Sequence, residues 1–227
     1  MTAARRTRRR DPLTRDRVLR AAVDVVDHEG IEALSMRRLG QELGVEAMSL
    51  YRYVPSKADL LDGIYGIILA EIVVPRAAGE WQTTTRLYAR AFRKALVAHP
   101  NALSLFATRP AVTPASLRHV ESGLALLRGV GFEVEDAVSA FQVVVTFVVG
   151  HTLSTHAPAG DDAERSTPAY RDLEPSEFPA LIEAAATLAD RDPDQEFEFG
   201  LDVVLAGLAA KLAVNPAARR RRIALRP

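Results

Sequence analysis

LSMRRLGQELGVEAMSLYRYVPSKADL, residues 34 to 60, reads as three short helical pieces joined by a tight turn. Met36, Leu39, Gly40 and Leu43 give the first piece an apolar side, and Gly44 can take the positive φ that ends it. Beyond Val45, a second short helix is expected over Ala47 to Val54. Leu50 and Val54, four apart, face inward there, which leaves Ser49, Tyr51, Arg52 and Tyr53 to face out. Hydroxyls, aromatic edges and a guanidinium on a short exposed helix suit a DNA major groove. Ser56 opens the third piece, with Asp59 three residues on, as in a capping box. Lys57 falls in its first turn, where backbone amides and a lysine can hold a phosphate.

Composition bounds what surrounds this segment. With 227 residues, 48% of them hydrophobic, the chain is globular and large enough for a sizeable core. The absence of cysteine excludes disulfides and thiolate metal sites and fits a reducing cytosol. A formal net charge of +0 is unusual for a DNA binder until its distribution is read. Arg5, Arg6, Arg8, Arg9 and Arg10 crowd the N-terminus, and Arg15, Arg17 and Arg20 follow, while acids from Asp161 to Asp202 offset them. The basic footprint is local, so the average hides it. The arm over 1–12 is expected to contact phosphates or a minor groove, and the alternative is a solvated tail. The cluster Arg219 to Arg222 has no assigned role. No apolar stretch follows the basic N-terminus, so no secretory signal is read and a cytoplasmic location is expected. The most apolar run, Ala137 to Val149, is short for a membrane span and reads as part of a helix buried on most sides.

The remaining pattern is helical, and no alternating strand pattern or internal repeat stands out; the expected class is all-α. Val18, Ala22, Val25 and Val26 stripe a first helix that Gly30 ends. Further helices are expected over Lys57 to Val73, Trp81 to His99, Asn101 to Thr108, Pro114 to Gly129 (capped by Thr113), Val134 to Thr155 and Phe178 to Ala189. Residues 157 to 176 read as a loop. Phe197, Leu201, Leu205, Leu208 and Leu212 stripe a last helix over 196 to 214. This helix and the one at 134 to 155 are more apolar than one small domain requires. A four-helix bundle between two copies of the chain would account for both, with Gly200 and Gly207 allowing close approach.

The segment GIEALSMRRLGQELGV followed by SLYRYVPSKADLL resembles the helix-turn-helix of the TetR/AcrR family of bacterial transcriptional repressors. GEWQ at 79–82, FRKAL at 92–96, ATRP at 107–110 and EFEFGLDVVLAGL at 196–208 extend the resemblance to the tetracycline repressor subclass. The resemblance implies a helix-turn-helix domain over 13–56 and an all-helical ligand-binding and dimerisation domain over 57–216, with 57–73 as connecting helix and a basic tail over 217–227. The function implied is a repressor that binds a palindromic operator as a homodimer and is released by a small organic effector. DNA-contacting positions carry over onto Arg37, Ala47, Met48, Ser49, Tyr51, Arg52, Tyr53 and Lys57. A glutamine, a proline and a tryptophan of the tetracycline repressor correspond to Ala47, Met48 and Arg52, so the operator should differ too.

The effector pocket departs further from that subclass. Positions that chelate a magnesium-bound drug there correspond here to Val73, Leu105, Tyr88, Gly123 and Ser154, and only an aromatic is kept, at Phe92. Magnesium needs oxygen ligands and ordered waters. The expected cavity is apolar, touches Val73, Tyr88, Phe92, Leu105, Thr108, Phe141 and His151, and takes an organic molecule with no metal or cofactor. No catalytic motif is present: there is no G-x-S-x-G, no H-E-x-x-H, no phosphate loop and no cysteine nucleophile. Among the histidines, His28 and His99 fall at helix ends and His119 on an expected exposed turn, while His151 and His156 are poorly spaced for one helical face. The alternative to an effector-responsive repressor is a helix-turn-helix regulator that senses no small molecule.

Overall fold

A computed structural model describes residues 12–73, 79–158 and 173–214, and every regular element among them is helical. Helix α1 (Arg15–Glu29) starts where the Thr14 hydroxyl accepts the Arg17 amide at 3.2 Å, and it stops at Gly30, φ 84°. Its buried face includes the Val18, Ala22, Val25 and Val26 stripe. Helix α2 (Met36–Leu43) is capped by Ser35 and closed by Gly44 in the left-handed conformation, φ 66°, which a side chain would resist. A Cβ on Gly40 would lie 2.8 Å from the Val45 carbonyl oxygen, so glycine is what lets the next element approach α2.

That next element, α3 (Ala47–Leu50), is shorter than the expected Ala47 to Val54. The amides of Tyr53 and Val54 both donate to the Leu50 carbonyl, at 2.9 and 3.0 Å, so residues 51–53 form a tight turn. Pro55 is the cause: it disfavours helical geometry at Val54 and has no amide to continue the ladder. Leu50 and Val54 are nonetheless fully buried. Each such aliphatic side chain removed from water contributes roughly 1.5–3 kcal/mol, which holds this short element without help from its length.

Helix α4 (Lys57–Ala70) begins at Ser56, whose hydroxyl accepts the Asp59 amide at 3.0 Å and donates to the Asp59 carboxylate at 2.6 Å. It ends three residues before the expected Val73. The Glu71 and Ile72 amides reach back only three residues, to Ile68 and Leu69, and the β-branched pair Ile72–Val73 does not extend the helix. Helix α5 (Trp81–Ala98) leads through a single 3₁₀ turn at Pro100–Ala102 into α6 (Leu103–Thr108). Helix α7 (Pro114–Gly129) carries a capping box in which Thr113 and Ser116 exchange hydrogen bonds. Helices α8 (Val134–His156), α9 (Pro179–Ala189) and α10 (Pro193–Val214) complete the order.

Helix α8 is the hub of the C-terminal half, packed against α5, α6, α7 and α10 along Ala137, Ala140, Val144 and Val148. It is not buried on most sides. Val138, Gln142, Val143 and Thr146 lie open on the face away from those neighbours. At 23 residues it is longer than the Ala137 to Val149 run, and it is long and apolar enough to cross a membrane by length and composition. Helix α10 divides similarly. Phe197, Leu201, Leu205 and Leu212 point into the chain and Leu208 is half-buried, whereas Phe199 (73% exposed), Val203 (57%), Ala206 and Ala210 form an outward stripe. The two helix glycines have different roles: a Cβ on Gly200 would meet the Phe147 ring at 2.5 Å within the chain, while Gly207 faces open space. One continuous apolar core runs from α1 to α10. The basic arm to residue 11, Pro75, the acidic positions 161 to 172 with most of the 157–176 loop, Pro216 and the basic tail lie outside the described residues.

Candidate functional site

The surface that α3 presents follows from the burial of Leu50 and Val54. Met48 is 74% exposed, Tyr51 is 43% exposed, and Arg52 stands beside them in solvent. Arg37 on α2 and Lys57 at the start of α4 are also exposed. Ala47 is half-buried at the close approach to Gly40. Two expected outward residues are only partly so. Tyr53 packs against the core, and the Ser49 hydroxyl, half-buried, donates back to the Glu46 carbonyl at 2.7 Å. Arg15, part of the basic footprint, also donates to the Tyr53 carbonyl at 2.7 Å and ties the start of α1 to the end of the α3 turn. On the other side, Arg38 of α2 grips Glu29 of α1 through two nitrogens and also reaches Glu42 at 2.8 Å. These bonds hold Glu29 charged, its pKa lowered chiefly by the Arg38 hydrogen bond.

A second feature is a cavity of about 160 Å³ between α5, α7 and α8. Tyr88 and Gly123 line it together with Leu126, Phe141, Val144 and Val145. Of its other hydroxyl side chains, Thr85 donates to the Trp81 carbonyl at 2.9 Å and Ser122 to the Arg118 carbonyl at 2.8 Å, and Thr84 also lines the wall. The Tyr88 phenol is pushed up to about 12 by burial and, secondarily, by Tyr65, so it remains a neutral hydroxyl. Glycine at 123 lets the Phe141 ring approach α7, because a Cβ there would lie 2.5 Å from that ring.

Of the expected lining residues, the cavity brings together Tyr88 and Phe141. Phe92 is buried beside Tyr88, ring centroids 6.1 Å apart, without reaching the wall. Val73 is 79% exposed past the end of α4. Leu105 is core, because α6 turns Leu103, Leu105 and Phe106 inward, with Phe106 stacked on Tyr65 at 4.5 Å. Thr108 is exposed and donates to the Ser104 carbonyl at 2.8 Å, and Ser154 is exposed likewise. His151 lies elsewhere, among Phe147, Phe197 and Arg93. Burial first, then the Arg93 charge, lowers its pKa. Trp81 does not line the cavity either and packs edge-on against Phe132 at 5.8 Å. Among the described residues no cluster of three or more histidine or acidic side chains is placed to hold a metal ion.

Contacts that the sequence did not disclose connect this cavity to the α1–α4 head. His119 is not on an exposed turn. It is half-buried on α7, 6.2 Å from Tyr88 between ring centroids, and interacts electrostatically with the Leu69 backbone in the last turn of α4. Burial lowers its pKa and keeps it neutral. Arg109, just after α6, donates to Asp62 at 2.7 Å and to the Ala58 carbonyl at 3.2 Å, holding the first half of α4.

An exposed helix-turn-helix surface on a small head, joined by one helix to an all-helical body with an apolar cavity, defines a DNA-binding regulator architecture. Comparison with known families agrees. Residues 18–64 match the model for bacterial regulatory proteins of the tetR family, and residues 75–212 match the tetracyclin repressor-like C-terminal domain. The chain belongs to the TetR family of transcriptional regulators, in the tetracycline repressor-like subclass. It is 34% identical over 202 residues to the tetracycline repressor protein class A from transposon 1721 of Escherichia coli, covering 87% of this chain and 91% of that one. The Streptomyces coelicolor TetR family protein ActR, solved in complex with actinorhodin, superposes with a TM-score of 0.78 at 34% identity, covering 88% and 99% of the two chains. BioQ, solved with its double-stranded DNA operator, gives a TM-score of 0.62 at 26% identity over 88% and 99%.

Proposed function

We propose that this chain is a repressor that binds a palindromic operator as a homodimer and leaves it when a small organic molecule enters the α5–α7–α8 cavity. The observation that carries the reading is the cavity itself. Its walls are aliphatic and aromatic, its threonine and serine hydroxyls that have partners bond within their own helices, and its one neutral phenol can orient a polar edge of a ligand. Tyr51, Arg52 and Met48 read base edges, with Arg37, Ala47, Ser49 and Tyr53 at the rim of the same surface and Lys57 on a phosphate. Two helical DNA-reading heads must sit one turn of DNA apart, about 34–36 Å, so the dimer's geometry sets affinity.

The route from cavity to head runs along α4. A ligand pressing on Tyr88 or spreading α5 from α7 acts on His119 and therefore on Leu69. Thr113 sits 2.9 Å from where a Cβ on Gly66 would be, so α4 and α7 are too closely packed for one to shift alone. Displacing α4 swings Lys57 and α3 and changes the head separation. ActR, similar over nearly the whole chain, is known with a ligand bound, and BioQ with its operator; both support this reading. The absence of chelating side chains at Val73, Leu105 and Ser154 leads to release without magnesium.

The test is an operator-release titration with uncharged aromatic compounds, run with and without a chelator. Release that the chelator does not alter is expected. Release only by magnesium-bound tetracycline, abolished by the chelator, would contradict the reading.

A further inference from the structure

We infer that His99 is a positioning residue that latches the DNA-reading head onto the effector-binding body by bridging two carboxylates from different elements. Its Nδ1 lies 2.8 and 3.0 Å from the two carboxylate oxygens of Asp27 on α1, and its Nε2 lies 3.0 Å from the carboxylate of Glu71 at the end of α4. The ring itself is buried at the junction of α5 and the following 3₁₀ turn. Asn101, two residues on, donates to the Asp27 backbone carbonyl at 2.8 Å, so the same turn holds α1 twice. Three elements therefore meet on one imidazole. The latch rests on the reading of the chain as an operator-binding repressor controlled through α4.

Only an imidazolium can donate from both nitrogens. A neutral ring leaves one carboxylate facing a bare nitrogen and brings two anions together across it. Among the described residues, the charged groups facing the ring are Asp27 from α1 and Glu71 from α4, with Arg20 of α1 acting on Glu71 by charge. Burial alone would lower the His99 pKa, but the hydrogen bonds and charges of Glu71 and Asp27 outweigh it and raise the pKa. The latch is therefore closed in acid and opens as the pH rises. Because α1 carries α2 and α3, opening it frees the head to leave the arrangement that matches the operator.

The experiment is fluorescence anisotropy of an operator duplex and a random duplex, with the full-length parent, His99→Gln and Glu71→Gln, from about pH 6 to about pH 9. Operator affinity of the parent should fall by about threefold to tenfold over that range beyond any change on random DNA. His99→Gln should bind more weakly and lose this excess pH dependence. Glu71→Gln, changed at the more exposed end of the latch, should shrink it and lower the His99 pKa seen by NMR of its ring protons. The inference is overturned if the parent shows no excess pH dependence, or if all three proteins share one pH profile. It is overturned as well if His99→Gln does not fold and Glu71→Gln leaves the profile and the ring titration unchanged. A parent that prefers no operator at any pH would instead overturn the DNA-binding reading beneath it.

Discussion

At the scale of single residues, exposure sorts the α3 surface into distinct roles. Tyr51 and Arg52 have their reactive edges in solvent, so Tyr51→Ala and Arg52→Ala should each cost roughly 1–3 kcal/mol of operator binding and relax preference at one base step. Lys57→Ala should weaken operator and random DNA alike and reduce the salt slope by about one, measured by anisotropy at several salt concentrations. Gly123→Ala should fill the space occupied by the Phe141 ring edge and weaken effector-dependent release about tenfold or more while leaving operator binding intact, because a one-methyl overpacking costs about 1–3 kcal/mol locally. The exposure of Tyr51 and Arg52 was legible in the sequence because it depends on local spacing: Leu50 and Val54 had to face in, although Ser49 and Tyr53 face out only in part. Val73 and Leu105 lie away from the cavity because correspondence in a related chain transfers position along a helix, not depth in a core, and Thr108 and His151 lie away from it because their place along a helix does not give the direction they face. His99 and His119 were not legible, since their partners Asp27, Glu71 and Leu69 lie 28 or more residues away in sequence and meet them only through packing.

Among the elements, the short α3 and the early end of α4 show where periodicity stops deciding. Pro55 and the Ile72–Val73 pair set those ends, and helices read from apolar stripes alone run past them. Helices α8 and α10 read as more apolar than one small domain requires, but the stripe singled out on α10 belongs to the chain's own core. Leu205 is buried within the chain, so a charge there should unfold it. Phe199 and Val203 lie on the open side, and Val203→Asp should leave the fold intact while weakening self-association about a hundredfold, as expected for an unpaired charge placed in an apolar interface. Sedimentation of the parent as a stable dimer, and of Val203→Asp as a folded monomer at micromolar concentration, is the outcome that checks this. The join between head and body also carries a pH signature. His99 has its folded pKa raised above the ordinary value of 6.5, so its contribution to stability is complete below about 6.5 and is lost as the pH climbs through the raised value. Thermal melts of the parent should lose stability over that window, and melts of His99→Gln should not.

Across the whole molecule, one apolar core spans head and body, and α4 is held at both ends: by Arg109 near Lys57, and by His119 and His99 near Ala70. A helix gripped in this way moves as a unit, which is how an event in a cavity between α5, α7 and α8 can reach a surface on α3. The all-helical class was legible from the sequence because most helices carry their own stripe and stop signals, and the plan of head, connecting helix and body followed from the family resemblance. The wiring between them was not, because it rests on contacts between distant segments. The account depends most on the claim that α3 reads a specific DNA sequence. Anisotropy titrations of an operator duplex and a random duplex of equal length, at one salt concentration, with the parent and Arg52→Ala, test it most directly. The parent should prefer the operator by about a thousandfold or more, and Arg52→Ala should lose about tenfold or more of that preference while binding random DNA nearly as before. A parent that binds both duplexes equally, or an Arg52→Ala variant that keeps the full preference, would contradict the account.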